Sequence, residues 1–246
     1  MRPLVIAVVM WTSLAAHAQT PLPAPYCPAG ARPPSCGFLP SDEHVRHAEM
    51  GADKVRYVLF SWYMKCVSKA VIRGSQAGQA SFDGCTTDAM ARGVNRFNTL
   101  VSRPSCVNFG LIGRNLLSLS KATAGKLYCN GTVPFDFGVA GRFPADSLIA
   151  RVERGSSKLL VREYQGMVKC FDDGVEAQAR GRTGTLPRCV AKLRAIQERR
   201  LLRLGFGLPG FGSHGCFDQN AGTDIRRLMT QIDAAANLNP QMFCAT

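Results

Sequence analysis

The cysteines of this chain fall in a pattern that repeats, and the repeat limits the fold more than any other feature. Sliding the sequence along itself by 104 residues places Cys66 on Cys170 and Cys85 on Cys189, so each pair encloses eighteen residues. The register continues without a gap. Pro40, Asp42, Glu49, Gly51, Lys54, Lys65 and Val71 meet identical residues at Pro144, Asp146, Glu153, Gly155, Lys158, Lys169 and Val175. Pro40 to Ala89 and Pro144 to Leu193 thus share nine identities in fifty, where unrelated sequences of average composition share roughly three. Downstream the order persists at looser spacing, with Cys106 and Cys129 answered by Cys216 and Cys244. An aromatic residue precedes each last cysteine, Tyr128 or Phe243, as Tyr26 precedes Cys27. Two units of four cysteines, with Cys27 and Cys36 in the leading segment, account for all ten.

Each unit reads as helical. Ser41 can cap a helix, and Asp42 and Glu43 suit its positive end. Val45, Ala48, Ala52, Val55, Leu59, Trp62, Cys66 and Ala70 then alternate at spacings of three and four over about seven turns. The stretch Gly74-Ser75-Gln76-Ala77-Gly78 ends that helix. The second copy repeats the stripe less strictly through Ile149, Val152, Leu159, Met167 and Cys170, with Glu163 and Gly166 interrupting it. Further helices are expected over about Cys85–Val101 and Cys189–Leu204, and then Leu111–Leu127 and Asp224–Leu238. Val, Ile and Tyr are too scattered for a sheet. The expected fold class is all-α: two related disulfide-linked helical-hairpin or bundle units in series.

That geometry favours bridges Cys66–Cys85 and Cys170–Cys189, because in each pair one cysteine lies late in one helix and the other early in the next. The remaining pairing stays open. A straight helix over 107–128 would hold Cys106 and Cys129 about 33 Å apart, but Gly110 and Gly113 permit a shorter one. Cys106 could equally meet Cys27 or Cys36.

Residues 1–18 have the layout of a secretory signal: Arg2, an apolar run from Leu4 to Ala16, and the small-x-small site Ala16-His17-Ala18. Thirteen apolar residues fall short of the roughly 20 that span a bilayer, so cleavage is expected, and no transmembrane segment follows in the mature chain. Export agrees with cysteine usage, since ten cysteines without a Cys-x2-Cys knuckle suit bridges better than metal. The expected organisation is a signal at 1–18, a proline-rich arm at 19–40, unit 1 at 41–129, a Gly/Pro/Phe-rich linker at 130–144 and unit 2 at 145–246. Seven of the fourteen prolines lie between Thr20 and Pro40, which excludes helix there. Loss of the signal removes Arg2 alone, leaving 29 basic against 17 acidic residues. Such an excess favours anionic partners, here anionic lipid or an envelope polymer. The exported compartment is the periplasm or the extracellular space.

The stretches Lys65-Cys66 to Cys85 and Lys169-Cys170 to Cys189, the latter followed by Lys192-Leu193, resemble the cysteine-rich helical repeats of exported proteins in bacteria such as the deltaproteobacteria. The resemblance covers about two thirds of the chain and implies an exported helical fold without an established chemistry. More Gly and Arg, and Gly-Phe-rich inserts, set this sequence apart.

No catalytic set converges in the sequence, and no catalytic, metal or cofactor site is expected. Gly205-Phe206-Gly207-Leu208-Pro209-Gly210 fits G-x-G-x-x-G literally, but a basic helix stands where a dinucleotide fold needs a strand. Ser213-His214 beside Cys216 lacks a group to orient the histidine. His44 and His47 with Glu43 could begin a metal site, yet further ligands are not evident in the sequence. Asn130-Gly131-Thr132 is a glycosylation sequon only in a eukaryotic secretory route. The basic face of the fifth helix, above all Arg194, Arg199, Arg200 and Arg203, is the expected anion-binding surface, against the simpler reading of a solvated outer face. The leading expectation is a non-enzymatic structural or binding module. An enzyme with an unrecognised site, or a cationic membrane- or polyanion-binding protein, is the alternative. Titratable side chains converging in a cleft between the units would favour the enzyme.

Overall fold

The computed structural model describes residues 43–73, 75–100, 109–130, 133–134, 147–204 and 221–236. The expected signal and arm, most of the expected linker, residues 205–220 and five cysteines (Cys27, Cys36, Cys106, Cys216 and Cys244) lie outside the described residues. The described residues form six helices: α1 (Glu43–Arg73), α2 (Ser75–Leu100), α3 (Phe109–Leu127), α4 (Ser147–Ala179), α5 (Thr185–Arg203) and α6 (Ala221–Ala236). The only extended structure among the described residues is a two-residue antiparallel ladder, β1 (Cys129–Asn130) on β2 (Val133–Pro134). The all-α fold class therefore holds.

α1 pairs with α2 and α4 with α5 as two helical hairpins, and the third helix of each half, α3 or α6, packs on the long first helix. Cys66–Cys85 pins the first hairpin and Cys170–Cys189 the second, with Cα atoms 5.6 and 5.4 Å apart, within the range of unstrained bridges. One helix boundary departs from the sequence reading. α2 begins at Ser75, ten residues before Cys85, because Ser75 to Gly84 continue as helix instead of forming a loop. The second hairpin turns at Arg180–Gly184, where Gly181 and Gly184 adopt φ of 71° and 74°, a conformation that a Cβ opposes.

The two long helices pack on each other at the centre of the molecule. Arg46 pairs with Glu176, and Phe60 stacks on Tyr164 with ring centroids 4.9 Å apart. Residue numbers rise along α1 as they fall along α4, so the pair is antiparallel. Phe60 and Tyr164 are also 104 residues apart, so α1 and α4 touch at positions that the repeat register makes equivalent.

Because α1 meets α2, α3 and α4, it is buried on more than the one stripe its periodicity shows. Ala52, Val55, Leu59, Cys66 and Ala70 are buried as expected, and so are Phe60, Tyr63, Met64 and Val67 outside that stripe. Val45 instead faces solvent while its neighbour Arg46 is buried. The interruptions in α4 have local causes: Gly166 gives Leu193 of α5 room to pack against the helix backbone, and Glu163 faces Asp233 of α6.

Candidate anion-binding cleft between the two long helices

One face of the α1/α4 pair carries two clefts. The larger encloses about 490 Å³ between the C-terminal half of α1 and the N-terminal half of α4. Lys65 and Lys69 line it from α1, and Arg154, Lys158 and Arg162 from α4. All five are exposed, and among the described residues no carboxylate lines the cleft. Each set is spaced at i, i+4, an arrangement in which like charges cost an isolated helix about 0.2–0.5 kcal/mol per pair. The floor is apolar at Met64 and Val161, with Ser61, Ser68 and Ser157 offering hydroxyls.

Tyr128 supports that floor from beneath. It is buried at the end of α3, and its hydroxyl lies 2.9 Å from that of Ser68 on α1 and also bonds Ser157 on α4. Burial raises its pKa above the ordinary tyrosine value, so it stays a neutral hydroxyl. The sequence marked Tyr128 only as the aromatic before Cys129; that it ties three helices together was not visible from its neighbours.

The smaller cleft, about 150 Å³, lies toward the other ends of the same helices, with Gln165 common to both. Lys54 and Lys169 line it together with Tyr57, Asp172 and Asp173. Burial, and then the nearby charge of Asp53, pushes the Asp172 carboxyl up to about 8. Asp53 is fully buried and itself raised to about 6 by burial, against the pull of Arg56, whose guanidinium donates to it at 2.8 Å. Titratable groups thus converge between the hairpins, as a catalytic site would require, but in a space well below the roughly 300–1,000 Å³ of ordinary small-molecule sites.

The α5 arginines are brought together only in part. Arg194 pairs with Asp233 of α6 at 3.6 Å, and Arg200 donates to Gln197 within its own helix at 3.2 Å. Arg199 and Arg203 stand exposed one turn apart, and Arg200 and Arg203 sit in the last turn, where cations suit the negative end of the helix. His47 gains what the sequence did not supply, a second carboxylate, with Glu43 at 3.9 Å and Glu176 at 3.7 Å. Glu176 is already held by Arg46 at 2.8 Å and Arg180 at 2.6 Å, so a metal ion there would have to displace two guanidinium groups.

A third cavity, about 590 Å³, opens in the first half beside Tyr63, Met90, Val94 and Leu117. At the positions 104 residues beyond Met90 and Val94 stand Arg194 and Glu198, which α6 engages through Asp233 and Arg226. The second half closes with ion pairs the place that the first leaves open.

No helix among the described residues is long and apolar enough to cross a membrane. The chain matches no known family model, no curated protein and no solved structure.

Proposed function

We infer that this chain is an exported, disulfide-stabilised binding protein that holds an anionic ligand in the larger α1/α4 cleft and performs no catalytic step. The observation that carries the reading is the cleft lining: among the described residues, five cations and no acid around about 490 Å³, a size that suits a small-molecule site. Holding like charges close together around one cleft is unfavourable through their mutual repulsion, and an anion supplied from outside offsets it. Export is supported by the signal layout of residues 1–18 and by the two bridges. Descent of the two hairpins from one duplicated unit is supported by the 104-residue register and by matching bridge positions. An anionic partner, expected from the charge balance, is thereby assigned to α1 and α4 instead of to the arginines of α5.

Calorimetric titration with pyrophosphate tests this reading. The expected result is saturable binding that weakens by about tenfold or more from low to physiological salt. Lys65→Glu with Lys158→Glu should abolish it, whereas Arg199→Glu with Arg203→Glu should leave it within about twofold. If the α5 pair abolishes binding and the cleft pair does not, the site belongs on α5. If pyrophosphate, heparin and anionic vesicles all fail to bind at low salt, the anion-binding reading is wrong.

A further inference from the structure

The two clefts on the α1/α4 face are built from the same positions. Adding 104 to Lys54, Tyr57, Ser61 and Lys65 gives Lys158, Val161, Gln165 and Lys169, and each residue of such a pair lines one or both clefts. Every residue lining the smaller cleft has its 104-residue counterpart in the lining of the larger one: Met50 answers Arg154, and Asp172 and Asp173 answer Ser68 and Lys69. With α1 and α4 antiparallel and touching at the equivalent residues Phe60 and Tyr164, an approximate two-fold axis through that contact exchanges the clefts. Two features are identical on both sides. Each cleft has a lysine from α1 and a lysine from α4, Lys65 with Lys158 in one and Lys54 with Lys169 in the other.

What differs is how each lysine pair meets negative charge. In the smaller cleft the chain supplies two carboxyl groups on adjacent residues, Asp172 and Asp173, and the charge of Lys54 acts on Asp172. In the larger cleft a serine and a lysine take those positions, and no carboxyl group among the described residues lines it. Of two equivalent lysine pairs, one therefore stands beside carboxyl groups and the other beside further cations.

We propose that the ligand of the larger cleft is a compact molecule bearing two or more carboxylate-like groups a short bridge apart, so that Lys65 from α1 and Lys158 from α4 each meet one. Arg154, Arg162 and Lys69 add charge that the smaller cleft lacks, so phosphate esters or a third carboxylate fit the same site, while Met64 and Val161 contact the bridging carbons. A long polymer is the poorer match, because the uniformly basic stretch ends at Gln165, beyond which the exposed Asp173 would repel a continuing polyanion.

The proposal rests on the anion-binding reading and is tested separately from it. Acetate, succinate, citrate and pyrophosphate are titrated into the full mature chain at one ionic strength. Citrate and succinate should bind at one site per chain and at least about tenfold more tightly than acetate. Lys65→Gln and Lys158→Gln, both at exposed positions, should each weaken citrate about tenfold with an unchanged circular-dichroism spectrum. Asp172→Ser with Asp173→Ala should add a second, weaker citrate site, which Lys54→Gln then removes; Asp173→Ala alone, at an exposed position, should already permit weak second-site binding. If heparin or anionic vesicles bind through Lys65 and Lys158 while the compact acids do not, the ligand class is wrong although the cleft is right. Citrate binding no tighter than acetate, or freed Lys54 and Lys169 that gain no site, would also overturn it.

Discussion

The two ends of the α1/α4 face differ in where their polar groups find partners. At the larger cleft Ser68 and Ser157 share the Tyr128 hydroxyl, on which the buried Glu153 also acts, and the cations stand outside on lysines and arginines. At the smaller cleft the charges are inside. Asp53 and Arg56 are buried as a pair and Asp172 is buried beside them. A buried ion pair gains little over the cost of desolvating it, and an added buried carboxyl gains less. One end is thus closed on itself at some cost in stability, and the other has its charge directed outward. The difference matters because the positions are equivalent in the 104-residue register, so the backbone alone does not explain it.

The largest expected effect lies at the junction of the two ends. Phe60→Ala or Tyr164→Ala, each fully buried, should cost about 3–5 kcal/mol in chemical denaturation. If the α1/α4 contact is as central as the packing implies, both halves should lose stability together; one half unfolding alone would break the comparison. Next come the bridges. Ser at both Cys66 and Cys85, or at both Cys170 and Cys189, removes a link spanning 19 residues, worth about 3 kcal/mol. The two costs should agree within about 1 kcal/mol, and a wider gap would show that the hairpins do not carry equivalent loads.

The polar ends should respond with opposite signs. Asp172 has a folded pKa of about 8, well above its ordinary value, and Glu163 is likewise raised to about 8 by burial and then by Asp233. The folded chain therefore holds protons that the unfolded chain has released between about pH 4 and pH 8, so stability falls as pH rises through that window. Asp172→Asn should raise stability by roughly 1–3 kcal/mol at pH 8, with the gain fading by pH 4. Tyr128→Phe, which leaves Ser68 and Ser157 without their shared partner, should lower it by about 1 kcal/mol at either pH. A gain from Asp172→Asn that did not depend on pH would mean that its carboxyl is not the group responsible.

How far the sequence foretold this arrangement depended on whether a signal was local. The helices, the hairpins and both bridges followed from spacing, since Cys66 and Cys85, or Cys170 and Cys189, are joined by a short stretch of chain. The contact between the hairpins did not follow. It rests on Phe60 and Tyr164 and on buried groups such as Asp53, Arg56 and Glu163, which in a helix read alone look like breaks in an apolar stripe. The basic residues of α5 attracted notice because they are dense in sequence, whereas Lys65, Lys69, Lys158 and Arg162 are divided between two helices some ninety residues apart. The repeat register did contain the clue, because Lys54, Lys65, Lys158 and Lys169 are among its few identities and are too hydrophilic to be kept for a core.

The most direct test of the asymmetry between the clefts compares two charge reversals by calorimetric titration of citrate at low salt. Lys65→Glu with Lys158→Glu should abolish binding, while Lys54→Glu with Lys169→Glu, the same change at the equivalent lysines, should leave the affinity within about threefold. Equal loss from both pairs, or loss from the second pair alone, would contradict the account.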